Sequence, residues 1–507
     1  MKRSARIPRA TRIRVCLCVG LIGSSTVYAE TWRIVPAITV NETLTDNVSL
    51  AADDRKQSDL ITQITPSIRI DGTGSRVRLN LNYRMTNILY ANESDRNRTQ
   101  NYLNAVGRLE AVENWLFIDA NAAITQQSIS AFGAQPNTEN INANRAQTST
   151  YQVSPYITGR LGTAADYQLR YRWTTTHAGT GQFSDTQVED WIGTLKGVTG
   201  LRTLSWALDA HHQVVNRDVG PDPESDRAGA SLIYQVDPQI RLTVRGGYES
   251  NNYSSQRRSS KNYGGGVDWS PTERTQLTAF QEKRFFGDSR TISFRHRTRL
   301  TAWQYSDRKS VSVLPNQLAI PAPGVAFDLL FNALESRIPD PVERAQEVER
   351  LLAQGGIPPD LALASGFLTT RVTLQRSRQG SVAILGVQNT LTLAVGETES
   401  ETLGVGAGVG VDDFSATPSV QQRSISAALS HRMSPLSSLS LLASQIRSSA
   451  TSGSAIDSTQ RTVRLLFTRR MGPKTTGTIG ARFVDFESSS SPGYSEKALT
   501  AALSVTF

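Results

Sequence analysis

Arg76-Val77-Arg78-Leu79-Asn80-Leu81-Asn82-Tyr83-Arg84-Met85-Thr86 alternates without a break. Apolar side chains fill the odd positions from Val77 to Met85, and Arg, Asn or Thr fill the even ones. Successive side chains of a strand point to opposite faces, so this period of two gives a strand with one apolar and one polar face. The pattern recurs at Tyr167–Trp173, Ile240–Val244, Ile292–His296 and Val463–Phe467. It recurs last at Leu499, Ala501, Leu503, Val505 and Phe507.

Turn signals of two sizes separate these runs. Short ones are Asp71-Gly72-Thr73-Gly74, Asp237-Pro238, Ser270-Pro271, Ser434-Pro435 and Gly472-Pro473. Long polar ones cover 46–57, 91–99, 130–146, 217–226, 251–260, 398–420 and 488–493. Tight turns alternating with long loops are the signature of a transmembrane barrel with periplasmic turns and external loops. The expected fold is therefore all-β: a transmembrane antiparallel β-barrel of about 22 strands, within 18–24. A soluble all-β protein would use shorter strands, about five or six residues, with the apolar face in a core. Runs of ten to fifteen residues with Arg on the other face favour the barrel. Trp and Tyr such as Trp32, Tyr83, Tyr90, Tyr102, Trp115, Tyr156, Trp191, Trp206, Trp269 and Trp303 fall near strand ends or on the apolar register, where interfacial girdles form.

Composition agrees once the N-terminus is set aside. The 507 residues carry 54 Lys+Arg and 45 Asp+Glu, a formal net charge of +9. Residues 1–29 read as a signal peptide. Lys2, Arg3, Arg6, Arg9, Arg12 and Arg14 precede a short apolar run from Val15 to Gly23, and Val27-Tyr28-Ala29 suits cleavage. Removing six cations from +9 leaves +3, which withdraws the charge argument for a nucleic-acid partner. Cys16 and Cys18, the only cysteines, leave with it, so the remaining 30–507 cannot use disulfides. Only 38% of residues are hydrophobic, which excludes membrane helices and suits strands apolar on one face.

One segment breaks the alternation. Residues 314–366 read as helical, with Phe327, Leu330, Phe331 and Leu334 on one face. A second helix starts with an Asp340 cap, Pro341 at its first position and Glu343 completing the box; it carries Ala345, Val348 and Leu352 and stops at Gly355-Gly356. Placed after an upward strand, the insertion is a plug, a constriction or an external lid.

The polar register collects Arg76, Arg78, Arg84, Arg108, Arg170, Arg172, Arg241, Arg245, Arg295, Arg297 and Arg464 as expected lumen-lining residues. Glu110, Asp119, Asp209, Asp268 and Glu282 share that side. A basic wall would favour anionic solutes; alternatively, the charges pair across strands and fill the lumen. No catalytic or metal-binding spacing occurs, and His211 and His212, adjacent on a strand, must point apart. The glycine run Gly404–Gly410 has no following helix and reads as loop or strand edge. No enzyme activity and no cofactor are expected. Phe507, with Val505 and Leu503 on its face, has the form of a terminal signal for the barrel-assembly machinery.

The opening Trp32-Arg33-Ile34-Val35-Pro36-Ala37-Ile38-Thr39-Val40 through Val48 resembles that of the outer-membrane proteins associated with PEP-CTERM and exopolysaccharide systems. Asp59–Ile68, Phe294–Thr298 with Thr301-Ala302-Trp303, and Gly386–Leu393 are similar too. The resemblance runs over residues 30–507. It implies a cell outer-membrane location, contact with outer-membrane lipid, and the company of exopolysaccharide or export-system proteins. It carries over no catalytic residues. Two roles follow: a conduit for exopolysaccharide or another polar solute, or a surface-interaction barrel that binds matrix polymer or a partner without transport.

Overall fold

A computed structural model describes residues 31–507 except 136–138, 180–182, 184, 219–221, 255, 316–324, 336–337, 339–340, 356–365, 404–411 and 453–454. The expected leader, the Asp340 cap and the glycine run Gly404–Gly410 lie outside the described residues.

Twenty-two antiparallel strands follow one another in a meander. They are β1 Thr31–Thr45, β2 Asp59–Thr73, β3 Val77–Tyr90, β4 Arg98–Val112, β5 Leu116–Gln127, β6 Ala146–Leu161, β7 Ala165–Ala178 and β8 Thr186–Val198. Next come β9 Leu204–Arg217, β10 Glu224–Asp237, β11 Ile240–Asn251, β12 Arg258–Thr272, β13 Thr275–Arg284, β14 Gly287–Arg297 and β15 Thr301–Ser312. The rest are β16 Thr373–Leu385, β17 Asn389–Thr402, β18 Ser419–Ser434, β19 Ser437–Ala450, β20 Asp457–Arg470, β21 Thr475–Ser488 and β22 Tyr494–Thr506. β22 pairs back onto β1, from Ala37–Thr506 to Thr45–Ala498, and Phe507 N–H donates to Pro36 O at 2.9 Å. The sheet is thus closed and has no free edge, which a lipid-embedded sheet requires.

Connections sort by end. Every even-to-odd connection is short, from the pair 238–239 to the five residues 199–203. The odd-to-even connections include 46–58, 128–145, 313–372 and 403–418; 285–286 is the short exception on that end. Several observed loops, 403–418 among them, are shorter than the polar runs suggested, because strands such as β17 and β18 continue into polar sequence.

The alternation sorts outside from inside. Outward go Val77, Leu89, Trp191, Leu232, Leu242, Val244, Trp269, Trp303, Ile425, Leu465 and Leu499, all exposed. Near the short turns, aromatic rings lie over glycines of the paired strand: Trp32 over Gly72, Tyr167 over Gly159, Trp206 over Gly197. A Cβ at Gly159 would come within 2.9 Å of the Tyr167 ring. Each ring covers backbone that the glycine leaves bare, at the level of an interfacial girdle. Tyr90, Tyr102 and Tyr156 depart from the girdle expectation. They take the inward parity, and Tyr90 and Tyr156 are buried.

Strand length has a consequence. Fourteen residues at ~3.3 Å, tilted about 40°, rise roughly 35 Å, against an apolar band about 25 Å tall. The surplus must be polar outside as well as inside. On β16–β21 the outward register changes from Val382, Val395, Ile425, Val463 and Phe483 to Arg378, Glu397, Arg423, Arg461 and Asp485 toward the long loops. These side chains pair with one another: Arg378–Glu397 at 2.7 Å, Arg423–Glu397 at 3.2 Å, Arg461–Asp485 at 2.7 Å. The wall therefore ends in a charged outer collar.

Candidate functional site: a lumen crossed by its own insertion

Connection 313–372 contains α1 (Val325–Leu334) and α2 (Pro341–Gly355). It leaves from the long-loop end, yet its helices lie near the short turns. Leu329, Leu330, Leu334, Val348 and Leu352 are buried against Ala302 of β15, Ala383 and Leu385 of β16, Ala394 of β17 and Ala428 of β18. The wall offers alanines there, so the helices approach closely. Phe327 and Phe331 stack at 5.8 Å on the same face, and Arg344 lies 4.2 Å over Phe331.

Two ion pairs fix the ends of this assembly. Glu335, just past α1, pairs with Arg297 on β14; Glu349 of α2 pairs with Arg69 on β2. From β14 to β22 is eight steps and β2 is two beyond, so the partners lie ten of the ring's 22 steps apart. They stand on opposed walls. Only an element inside the barrel can reach both. At 1.5 Å per residue the helices measure about 15 and 22 Å, comparable together with the lumen of a ring roughly 44 Å across.

A second element closes the long-loop side. Connection 128–145 folds inward from β5 and β6 and crosses to β20–β22. Ala131 N–H donates to Asp413 at 2.7 Å, Gln135 N–H to Gln460 at 2.9 Å, and Ile141 N–H to Val48 O at 2.9 Å. Leu368 N–H, from the returning end of the insertion, donates to Ser128 O at 3.0 Å. At the far end Arg482 of β21, almost fully buried, pairs with Glu139 of the loop and with Glu496 of β22 at 2.7 Å. Asn140 donates to Glu496 at 2.9 Å and to Asn47 O at 3.0 Å. Val48, Ile61, Ile88 and Tyr90 bury beneath the loop. Burial pushes the Asp413 carboxyl above its usual range, against the bonds it accepts from Ser130 and Ala131. Arg145, desolvated and beside Arg98, is brought down to about 10.

The sequence-selected arginines fall into groups. Arg108, Arg170, Arg172, Arg245 and Arg297 take inward positions and pair with acids: Arg108 and Arg170 with Asp119 at 2.8 and 2.9 Å, Arg172 with Asp190 at 3.8 Å, and Arg245 with Asp209 and Glu282 at 2.5 and 3.3 Å. Arg78, Arg84, Arg241 and Arg295 are inward with no carboxylate within 4 Å among the described residues. Arg76 sits in the turn before β3, 3.7 Å from Glu113. Arg464 is inward on β20. Asp268 accepts from Thr278 at 2.8 Å, and Glu110 from Asn114 N–H at 2.5 Å. Leu503, Val505 and Phe507 share the outward face of the closing strand, Phe507 exposed.

Cross-strand pairing is thus the rule. Arg69, Arg482, Glu496 and Glu139 do the most to organise the lumen, and the sequence reading passed over them. Arg482 was within reach, because Ile479, Ala481 and Phe483 alternate around it. His211 bonds Asp190 inside at 2.8 Å, and His212 bonds Asp226 outside at 2.6 Å. His212, Glu224 and Asp226 are close enough to share an ion, but Arg257 already bridges both carboxylates.

No family model matches the chain, and no curated protein matches it. Among solved structures it is similar to the FrpB iron transporter from Neisseria meningitidis (F3-3 variant), at 9% identity and TM-score 0.47 over 93% of this chain and 81% of that one. It is similar to the outer membrane protein opdK from Pseudomonas aeruginosa, at 9% identity and TM-score 0.34 over 94% and 99%. The siderophore receptor PirA from Pseudomonas aeruginosa gives 8% identity and TM-score 0.39 over 94% and 80%. Likeness at these levels transfers no residue role or activity to this chain.

Proposed function

We propose that this chain is an outer-membrane conduit for a polar solute, held closed by its own 313–372 insertion. One observation carries the reading: α1 and α2 bridge opposed walls of the lumen, from Arg297 to Arg69. An element that only filled space would need no anchor on both sides. The exterior suits outer-membrane lipid, and the terminal Leu503-Val505-Phe507 face suits delivery by the barrel-assembly machinery. Exopolysaccharide is the proposed solute, on the sequence resemblance and on an inner wall rich in amides and arginines. The twelve buried residues of the plug cluster favour a second reading, a permanently filled barrel that presents its long loops to matrix polymer.

Planar-bilayer conductance of the full chain and of a variant lacking 316–364 separates the two. The conduit reading expects rare openings in the first and steady conductance in the second. No conductance in either form would sink it. A null strain that still secretes polysaccharide normally would sever the exopolysaccharide assignment while leaving the conduit.

A further inference from the structure

The plug and the inward loop leave parts of the inner wall uncovered, among them the start of β3 and the end of β4. On the short-turn half of β3 and β4, the inward residues Arg78, Asn80, Asn82, Arg84 and Arg108 are exposed. So is Val106, at 47%, an apolar side chain of inward parity that nothing covers. Farther along the same strands Thr86, Ile88, Tyr90 and Gln100 are buried under loop 128–145. The exposed half forms a vestibule on the short-turn side, and the loop roofs the other half.

Its charge is unbalanced. Arg78 stands opposite Arg108 in the β3–β4 register, a like-charge pairing that costs stability when nothing offsets it. Asp119 is shared by Arg108 and Arg170. Asp71 is held by Arg69 at 2.8 Å and by Asn80 at 2.6 Å. Arg84 is exposed and lies 4.3 Å over the Tyr102 ring. Arg78 and Arg84 therefore have no carboxylate within 4 Å among the described residues, while Asp71, Asp119 and Glu110 on this wall are each already engaged. Between the two arginines Asn82 stands opposite Asn104. Each amide offers donors and an acceptor, the complement of a sugar hydroxyl. The guanidinium forks complement a carboxylate.

We infer that this vestibule binds an acidic, hydroxyl-rich chain, of the uronate-containing oligosaccharide class, entering from the short-turn side. The inference deepens the conduit reading and rests on it for direction of entry, but its binding test does not need a conducting pore. Trigalacturonate and maltotriose, titrated calorimetrically into the purified full chain in detergent, are the probes. Trigalacturonate is expected to bind at least tenfold more tightly than maltotriose and to weaken as salt rises. The double variant Arg78→Gln/Arg84→Gln should lose at least tenfold for trigalacturonate, while Arg423→Gln, on the outer collar, should not change it. Heat-modifiable gel mobility reports that each variant still folds. Equal affinity for the two sugars, an unchanged constant in a folded double variant, or one-for-one displacement by inorganic phosphate would overturn the inference. Binding without conductance would leave it standing and sink the conduit; conductance without binding would do the reverse.

Discussion

Replacing Leu330 by alanine should dislodge the plug far more often than removing either of its ion pairs. Leu330 is fully buried between α1 and the alanine-lined wall. Truncating such a leucine costs about 2–5 kcal/mol, the spread reflecting how well the cavity collapses. At about 1.4 kcal/mol per factor of ten, the dislodged fraction should rise roughly 30-fold to a few thousandfold. The Glu349–Arg69 pair is about a third exposed on each side, at 34% and 30%. Pairs so wetted contribute about 0.2–1 kcal/mol, so Glu349→Gln should raise the fraction only about 1.4- to 5-fold. The apolar cluster supplies the hold, and the ion pairs supply register. A cysteine at Ala326, fully buried and in a chain whose own cysteines are confined to 16 and 18, reports dislodgement by its rate of maleimide labelling in nanodiscs. Labelling accelerated as much by Glu349→Gln as by Leu330→Ala, or unmoved by Leu330→Ala, would refute the reasoning.

Further tests address the other elements. Arg482→Met removes the cation that bridges Glu139 and Glu496, at a cost of about 3–5 kcal/mol, and should expose loop 128–145 to protease while strand content by circular dichroism holds. Burial raises the Asp413 carboxyl in the folded state by penalising its charged form, so the packing of loop 128–145 over it is fully favourable below the unfolded carboxylate pKa and weakens as pH rises through the folded one, even though the Ala131 N–H bonds the ionised form more tightly. Asp413→Asn, which keeps an acceptor and removes the charge, should therefore slow Ala131 amide exchange at pH 7 and flatten its pH dependence. On β19, Leu441→Arg in the apolar belt should cost about 2–4 kcal/mol in lipid refolding, whereas Gln445→Arg, level with the collar, should cost about 0–1 kcal/mol.

The barrel was readable because its signal is local. Residues such as Val77–Met85 and Leu499–Phe507 state their face in every dipeptide, and the even count follows from β1 starting and β22 ending at the short-turn end. The two helices were readable from Phe327–Leu334 and Ala345–Leu352 for the same reason. Their depth was not. Nothing near Glu335 or Glu349 says that the partners are Arg297 and Arg69, because ion pairs so distant along the chain leave no periodicity. Loop 128–145 looked like any external polar loop, since Glu139 and Asn140 are buried by residues about 340 positions away. Tyr90 and Tyr156 misled because an aromatic ring suits a lipid interface and a lumen wall equally well.

The seam between β1 and β22 sets the order in which the molecule can be made. Every other ladder joins neighbours in sequence, so each hairpin can form as soon as its two strands exist. The seam joins Thr39 to Ser504, hydroxyl to hydroxyl at 3.0 Å, and cannot form until the last strand has emerged. Bringing ends so far apart together costs chain entropy that no earlier pairing offsets. Until then β1 and β22 are both unpaired edges, able to recruit a neighbouring chain. Synthesis thus passes through one long interval in which the sheet is complete but for its last ladder, and whatever escorts the chain must guard those two strands until they meet.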